Sequence, residues 1–134
     1  MFKIFPIQTT EERKALCART GAEFHIADMA YRVTIEEEEA GIITFFISGK
    51  KGCMRQICFY PHMQDFEVMF IGGRVCMNFM DSVGATEGYF ISPDPQNERL
   101  TTALGYKKQA DGSYYLNTEG FFIDHCSHTD EQGR

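Results

Sequence analysis

Apolar positions come in short alternating runs along most of the chain and condense into one long, almost unbroken stretch after Pro61. Residues 2–7 alternate like a first strand. Thr9 or Thr10, followed by Glu11 and Glu12, predicts a capped helix running to about Arg19, with Gly21 as its stop. Residues 22–29 show neither period and fit a short second helix or a loop. Tyr31, Val33 and Ile35 alternate with Arg32 and Thr34, as a strand with one buried face does, and residues 36–41 read as its turn. Residues 42–48 form a β-branched and aromatic run suited to a central strand covered on both faces. SGKKG at 48–52 reads as another hairpin turn, and residues 55–60 as the next strand.

Beyond Pro61 the polar residues Glu67, Arg74, Asn78 and Asp81 fall at intervals of seven, four and three, on one narrow stripe of a helix. Such a helix is buried around most of its circumference, as when it crosses a sheet, and Gly84 sits where a C-terminal glycine cap belongs. A strand follows at 86–91, then a proline-rich turn, a short helix at 96–104 and another strand. Asp111 and Gly112 are the two-residue signature of a type I′ hairpin leading into 114–116. Residues 120–124 (GFFID) read as a final strand and 127–134 as a polar, disordered tail. This order predicts a single α+β domain over residues 1–126, built on a mixed sheet.

Charge and cysteine content remove several function classes. A chain of 134 residues with net charge −6 lacks the basic surface that nucleic acid or an anionic membrane requires. No apolar run reaches the length that spans a bilayer, and MFKIFPIQ has neither the basic nor the long apolar region of a signal peptide, so a cytoplasmic protein is expected. Five cysteines are an odd number without CxxC spacing, which suggests neither a disulfide framework nor a zinc site; they read as small apolar residues.

Two local sequences carry a resemblance. NERLTTALGYKKQADGSYYLN, residues 97–117, is similar to the late segment of the GNAT superfamily of acyl-CoA-dependent N-acyltransferases, in which an asparagine opens a short helix, an LGF-type turn ends it and a DG-type hairpin follows. ICFYP, residues 57–61, resembles the end of that family's fourth strand, with the proline that precedes its cofactor loop. The resemblance spans Met1 to about His125. It implies a GNAT-like α+β fold, a mixed and mostly antiparallel sheet flanked by helices. It further implies an N-acetyltransferase that moves an acetyl group from acetyl-CoA to an amine of a small molecule or protein. Acetyl-CoA would lie against the backbone of Ile57, Cys58, Phe59 and Tyr60, with its pyrophosphate at residues 64–69 and Asn97 among the cofactor-binding positions.

The cofactor loop departs from that pattern. The family carries an Arg or Gln and then spaced glycines at the start of the long helix, so that backbone N–H groups approach the pyrophosphate at a favourable helix N-terminus. Counting from Pro61, Gln64 fits, but the glycine positions fall on Asp65, Glu67 and Met69. The loop is therefore Gln64, Asp65, Phe66, Glu67, Val68, Met69. Its two carboxylates would cap the helix themselves and repel an anion, while Phe66 and Met69 would stand where backbone should come close. Gly72 and Gly73 lie inside the predicted helix, where each costs roughly 1 kcal/mol against alanine and marks a close approach by a neighbouring element. The competing reading makes them a shifted phosphate loop with Arg74.

The proton-transfer residues are also altered. The family's acid tyrosine position is Thr101; Tyr106, Tyr114 and Tyr115 lie nearby in sequence but off that position, and Tyr106 is the candidate acid. Glu67 or Glu87 would serve as base, against plainer readings as a helix-terminal charge and a solvated strand residue. Cys58 with His62 suggests a thiol-imidazole pair, against a packed cysteine. His125, Cys126 and His128 offer too few ligands for a closed metal site. Glu36 to Glu39 would attract a basic amine and Lys50, Lys51 and Arg55 a phosphate, against solvated turns. Two further readings stand beside the enzyme: a GNAT-like binding or interaction module that has lost acetyl-CoA, and a cleft for an uncharged acyl ligand against Phe66, Met69 and Phe70. Exposed sheet edges fit a homodimer.

Overall fold

In the computed structural model, which describes residues 1–117, seven strands form one sheet in the order β1-β2-β3-β4-β5-β7-β6. These are β1 Phe2–Pro6, β2 Met29–Ile35, β3 Glu38–Ser48, β4 Lys51–Phe59, β5 Glu87–Phe90, β6 Lys107–Lys108 and β7 Tyr114–Asn117. Neighbours are antiparallel except β4 and β5, whose parallel pairing needs the crossover helix between them. The sheet is thus mixed and mostly antiparallel, with helices on both faces.

Helix α1, Thr10–Thr20, starts where the Thr9 hydroxyl accepts from the Glu12 N–H and ends at Gly21 in the left-handed region. Its Leu16 and Cys17 pack with Ile7, Ala30 and Ile42 on one face of the sheet. Helix α2, Phe66–Ser82, and the short α3, Glu98–Ala103, cover the other face. There Val68, Met69, Cys76, Met77 and Met80 pack with Ile43, Phe45, Met54, Phe59 and Phe90.

Two expectations, both at hairpins, change. The turn after β2 is confined to Glu36 and Glu37, both at positive φ (52° and 68°), so residues 38–41 join β3. Two left-handed residues already reverse a hairpin, even without glycine. At the other hairpin only Gly112 has positive φ, 90°, and the loop is longer than two residues: the Gln109 N–H donates to the Ser113 carbonyl at 2.7 Å. The Asp111 carboxylate accepts there from the Ser113 N–H and hydroxyl, holding the wider turn. Gly72 and Gly73, as expected, lie inside an unbroken α2, which rules out the competing shifted phosphate loop. A methyl group on Gly72 would stand 2.7 Å from Ile43 Cδ1, and one on Gly73 2.9 Å from Leu104 Cδ2. The expected strand at 120–124, the His125 to His128 cluster and the polar tail lie outside the described residues.

Candidate functional site

The site arises from a fault in strand pairing. Phe45 pairs with Met54 and Thr44 with Gln56, so Arg55 is an extra residue, a β-bulge in β4. The carbonyls of both Met54 and Arg55 turn toward β5, accepting from the N–H groups of Ile91 and Ser92 at 2.7 and 3.0 Å. The β5 chain then leaves β4, because Pro93 and Pro95 have no N–H to continue a ladder. The last four residues of β4 are consequently paired on one side.

Strand alternation decides which of their polar groups are open. The Tyr60 N–H donates to the Ala40 carbonyl at 2.9 Å, so Tyr60 and Cys58 direct their backbone groups toward β3. Ile57 and Phe59 therefore direct theirs into the gap left by β5. The Gln64 side chain confirms this direction, donating to the Phe59 carbonyl at 3.0 Å. Among the described residues, the Ile57 backbone and the Phe59 N–H have no partner across the gap.

The gap is a cleft of about 200 Å³ lined by Ile57, Cys58, Phe59, Gln64, Met69 and Asp94, with Gln56 and Ser92 at its margins. Successive β4 side chains leave opposite faces of the sheet, so the cleft meets both. Ile57 points to α2, its Cδ1 being 3.3 Å from the place a Gly73 methyl would take. Cys58 points to α1, its thiol donating to the Thr20 carbonyl at 3.4 Å. Burial pushes the Cys58 thiol above its ordinary pKa, and His62 stacks on Tyr60, so the two do not form a nucleophilic pair.

On the α2 side, Asp65 caps the helix, accepting from the Val68 N–H at 3.1 Å. Glu67 is exposed in the first turn. A phosphate placed here would find one of the few unpaired helix N–H groups already taken and two carboxylates around it. The loop side chains differ in burial: Val68 and Met69 are buried, Phe66 half-buried and Gln64 exposed. The guanidinium of Arg99, a residue with no signal in the sequence reading, stands 3.9 Å above the Phe66 ring.

On the α1 side, the loop at 21–28 is tied down by buried polar groups. Gln56 accepts from the Glu23 N–H at 3.0 Å and donates to the Glu23 carbonyl at 2.8 Å and to the Thr44 hydroxyl at 2.9 Å. Asp28, only 4% exposed, receives two hydrogen bonds from Arg55, whose guanidinium also lies 4.9 Å over the Phe46 ring. Arg55 is thus a partner for this loop.

Other sequence candidates lie apart from the cleft. Tyr106 is 2% exposed, packed edge-on against Phe90 near Met77 and Met80, and burial drives its hydroxyl far above the ordinary tyrosine value. Tyr60 keeps its backbone on β3, and its hydroxyl donates to Glu39, which also receives Arg19. Asn97 starts α3 with no side-chain cap, its N–H donating to the Asp94 carbonyl at 2.9 Å. Glu87 accepts from the Tyr89 hydroxyl at 3.1 Å, and Lys51 sits 5.7 Å over the Tyr89 ring. No cluster of three metal-ligating side chains occurs among the described residues.

No family model matches the chain, and no curated protein sequence does. Its fold does match solved structures. A Bacillus subtilis acetyltransferase solved in complex with CoA aligns at TM-score 0.64 and 14% identity, over 82% of this chain and 79% of that one. The ribosomal-protein-S18-alanine N-acetyltransferase of Escherichia coli aligns at TM-score 0.63 and 13% identity, over 86% and 89%. A candidate acetyltransferase of the GNAT family from Desulfovibrio desulfuricans aligns at TM-score 0.67 and 10% identity, over 88% and 99%.

Proposed function

We propose that this chain, which has the GNAT fold in a sequence far diverged from its structural neighbours, is an N-acetyltransferase that takes acetyl-CoA as donor and an amine as acceptor. The observation that carries the reading is the opened strand pair: a fold shared with acetyltransferases keeps, in this sequence, a cleft edged by the unpaired Ile57 backbone and Phe59 N–H. That edge offers an amide-bearing arm the hydrogen bonds of a missing strand, and Ile57 and Met69 give it apolar walls. The fit to the cofactor divides along its length. The arm suits the cleft, whereas the α2 start, capped by Asp65, does not suit a pyrophosphate.

Bound acetyl-CoA supplies the acyl group as a thioester. The chain contributes orientation, through the β4 edge, and N–H donors from Ile57 or Phe59 toward a developing oxyanion. On the acceptor side, Asp94 is the carboxylate lining the cleft. One of its oxygens caps the Gln96 N–H at 2.9 Å, and the other is left to hold an ammonium and take its proton. Neither Glu67, on the outer surface of α2, nor the enclosed Tyr106 lines the cleft.

Calorimetric titration with acetyl-CoA and with pantetheine tests the donor site, and saturable binding of both is expected. The Asp94→Asn variant keeps the cap and removes the charge; its acetyl transfer to an amine should fall about a hundredfold with donor binding unchanged. A specific observation favours one competing reading. Gln64 already occupies the Phe59 carbonyl and Asp65 the helix start, so absence of binding at millimolar donor would identify a non-catalytic interaction module.

A further inference from the structure

The capped α2 start leaves the phosphates of acyl-CoA without the contact that a glycine-rich loop would give, yet a cation stands over the same turn. Phe66 is the first residue of α2, between Asp65 and Glu67, and the Arg99 guanidinium lies 3.9 Å above its ring. Stacking engages the face of a guanidinium and leaves the N–H donors around its rim available. Among the described residues Arg99 pairs with no carboxylate. Its neighbour Glu98 is engaged by the Tyr114 hydroxyl at 2.9 Å. The guanidinium is therefore held by an aromatic ring with no carboxylate partner among the described residues, and that ring lies in the chain between Gln64 and Met69, which line the cleft.

We propose that Arg99, stacked on Phe66, is the phosphate-binding group of this chain for acyl-CoA, in place of the helix N–H groups that Asp65 has closed. This rests on the reading of the cleft as an acyl-CoA site and adds where its anionic end is held. A guanidinium fork matches phosphate oxygens two at a time, which a lysine cannot do. A side-chain contact beside two carboxylates holds phosphate less tightly than a backbone cradle and is more sensitive to salt.

The test is titration of the full chain at low ionic strength with coenzyme A and with pantetheine, for the wild type and for Arg99→Ala, Arg99→Lys and Phe66→Leu. Coenzyme A should bind the wild type more tightly than pantetheine. Arg99→Ala should weaken coenzyme A about tenfold and leave pantetheine unchanged. Arg99→Lys should recover part of the loss, and Phe66→Leu, which keeps the charge but removes its platform, should fall between. Added salt should erode the coenzyme A affinity of the wild type more than that of Arg99→Ala. Equal affinity of the wild type for the two ligands, or an Arg99→Ala loss shared by pantetheine, overturns the proposal while leaving the cleft assignment in place. If the wild type binds neither ligand, the cleft assignment fails and the Arg99 proposal fails with it.

Discussion

A methyl group on Gly41 would fall 2.6 Å from the Cys58 carbonyl oxygen and 2.8 Å from Phe59 Cα. These are backbone atoms of the strand that edges the cleft, and they cannot rotate away. Gly41→Ala should therefore destabilise by about 2 to 3 kcal/mol in urea unfolding, whereas Gly73→Ala, which meets only the tips of Leu104 and Ile57, should cost about 1 kcal/mol after its gain in helix propensity. An equal cost at the two sites would contradict this ranking. Asp28 gives a second residue-scale expectation. Asp28→Ala strands the Arg55 guanidinium in a site where that side chain is 16% exposed, and should cost about 3 kcal/mol. Gly72 and Gly73 announce close packing in the sequence because a glycine pair inside an apolar helix has few other uses. Gly41 reads as a turn residue, since nothing in the sequence shows that Phe59 lies opposite it. Arg99 is silent for the same reason: its meaning comes from the ring beneath it, 33 positions earlier.

At the scale of elements, the caps and periods of α1 and α2 are legible because they are local. The Arg55 bulge and the departure of β5 are not, since both depend on the register of strands far apart in the chain. The start of α2 combines both effects. Asp65→Ala removes the cap and should lower stability by about 1 kcal/mol while tightening coenzyme A, because a repelling charge is gone. Loss of both stability and affinity would mean that Asp65 holds the site's shape. The end of α1 is fastened to β3 and β4 through Arg19, Glu39 and Tyr60. The Arg19 hydrogen bonds, reinforced by Tyr60, hold the Glu39 carboxyl below the usual carboxylate range, against the opposing effect of burial. Its contribution is present above the unfolded carboxylate pKa and lost as pH falls through the folded value. Glu39→Gln should cost roughly 0.5 to 1 kcal/mol at neutral pH, and the difference from wild type should close as pH falls below the ordinary carboxylate range. A gap that persists in acid would point to packing.

The whole molecule is an acidic sheet protein cut by a cleft that reaches both faces. The α2 face carries Gln64, Met69 and the stacked Arg99; the α1 face carries Cys58, Asp94 and the loop tied to Gln56. A net charge of −6 agrees with a cationic acceptor. Among the described residues no helix is long and apolar enough to cross a membrane. The mixed sheet was legible from the order of elements. The acidic start of α2 was legible too, in Asp65 and Glu67, whereas the stacking of Arg99 on Phe66 required the fold.

The most direct measurement is residue-resolved amide hydrogen exchange by NMR with and without acetyl-CoA. The Cys58 and Tyr60 amides, bonded to β3, should be protected in both states. Those of Ile57 and Phe59, open to the cleft, should exchange quickly alone and slow at least about tenfold at saturation. Unchanged Ile57 and Phe59 exchange with ligand bound, or protection that appears away from β4, would contradict the assignment of this strand edge as the donor site.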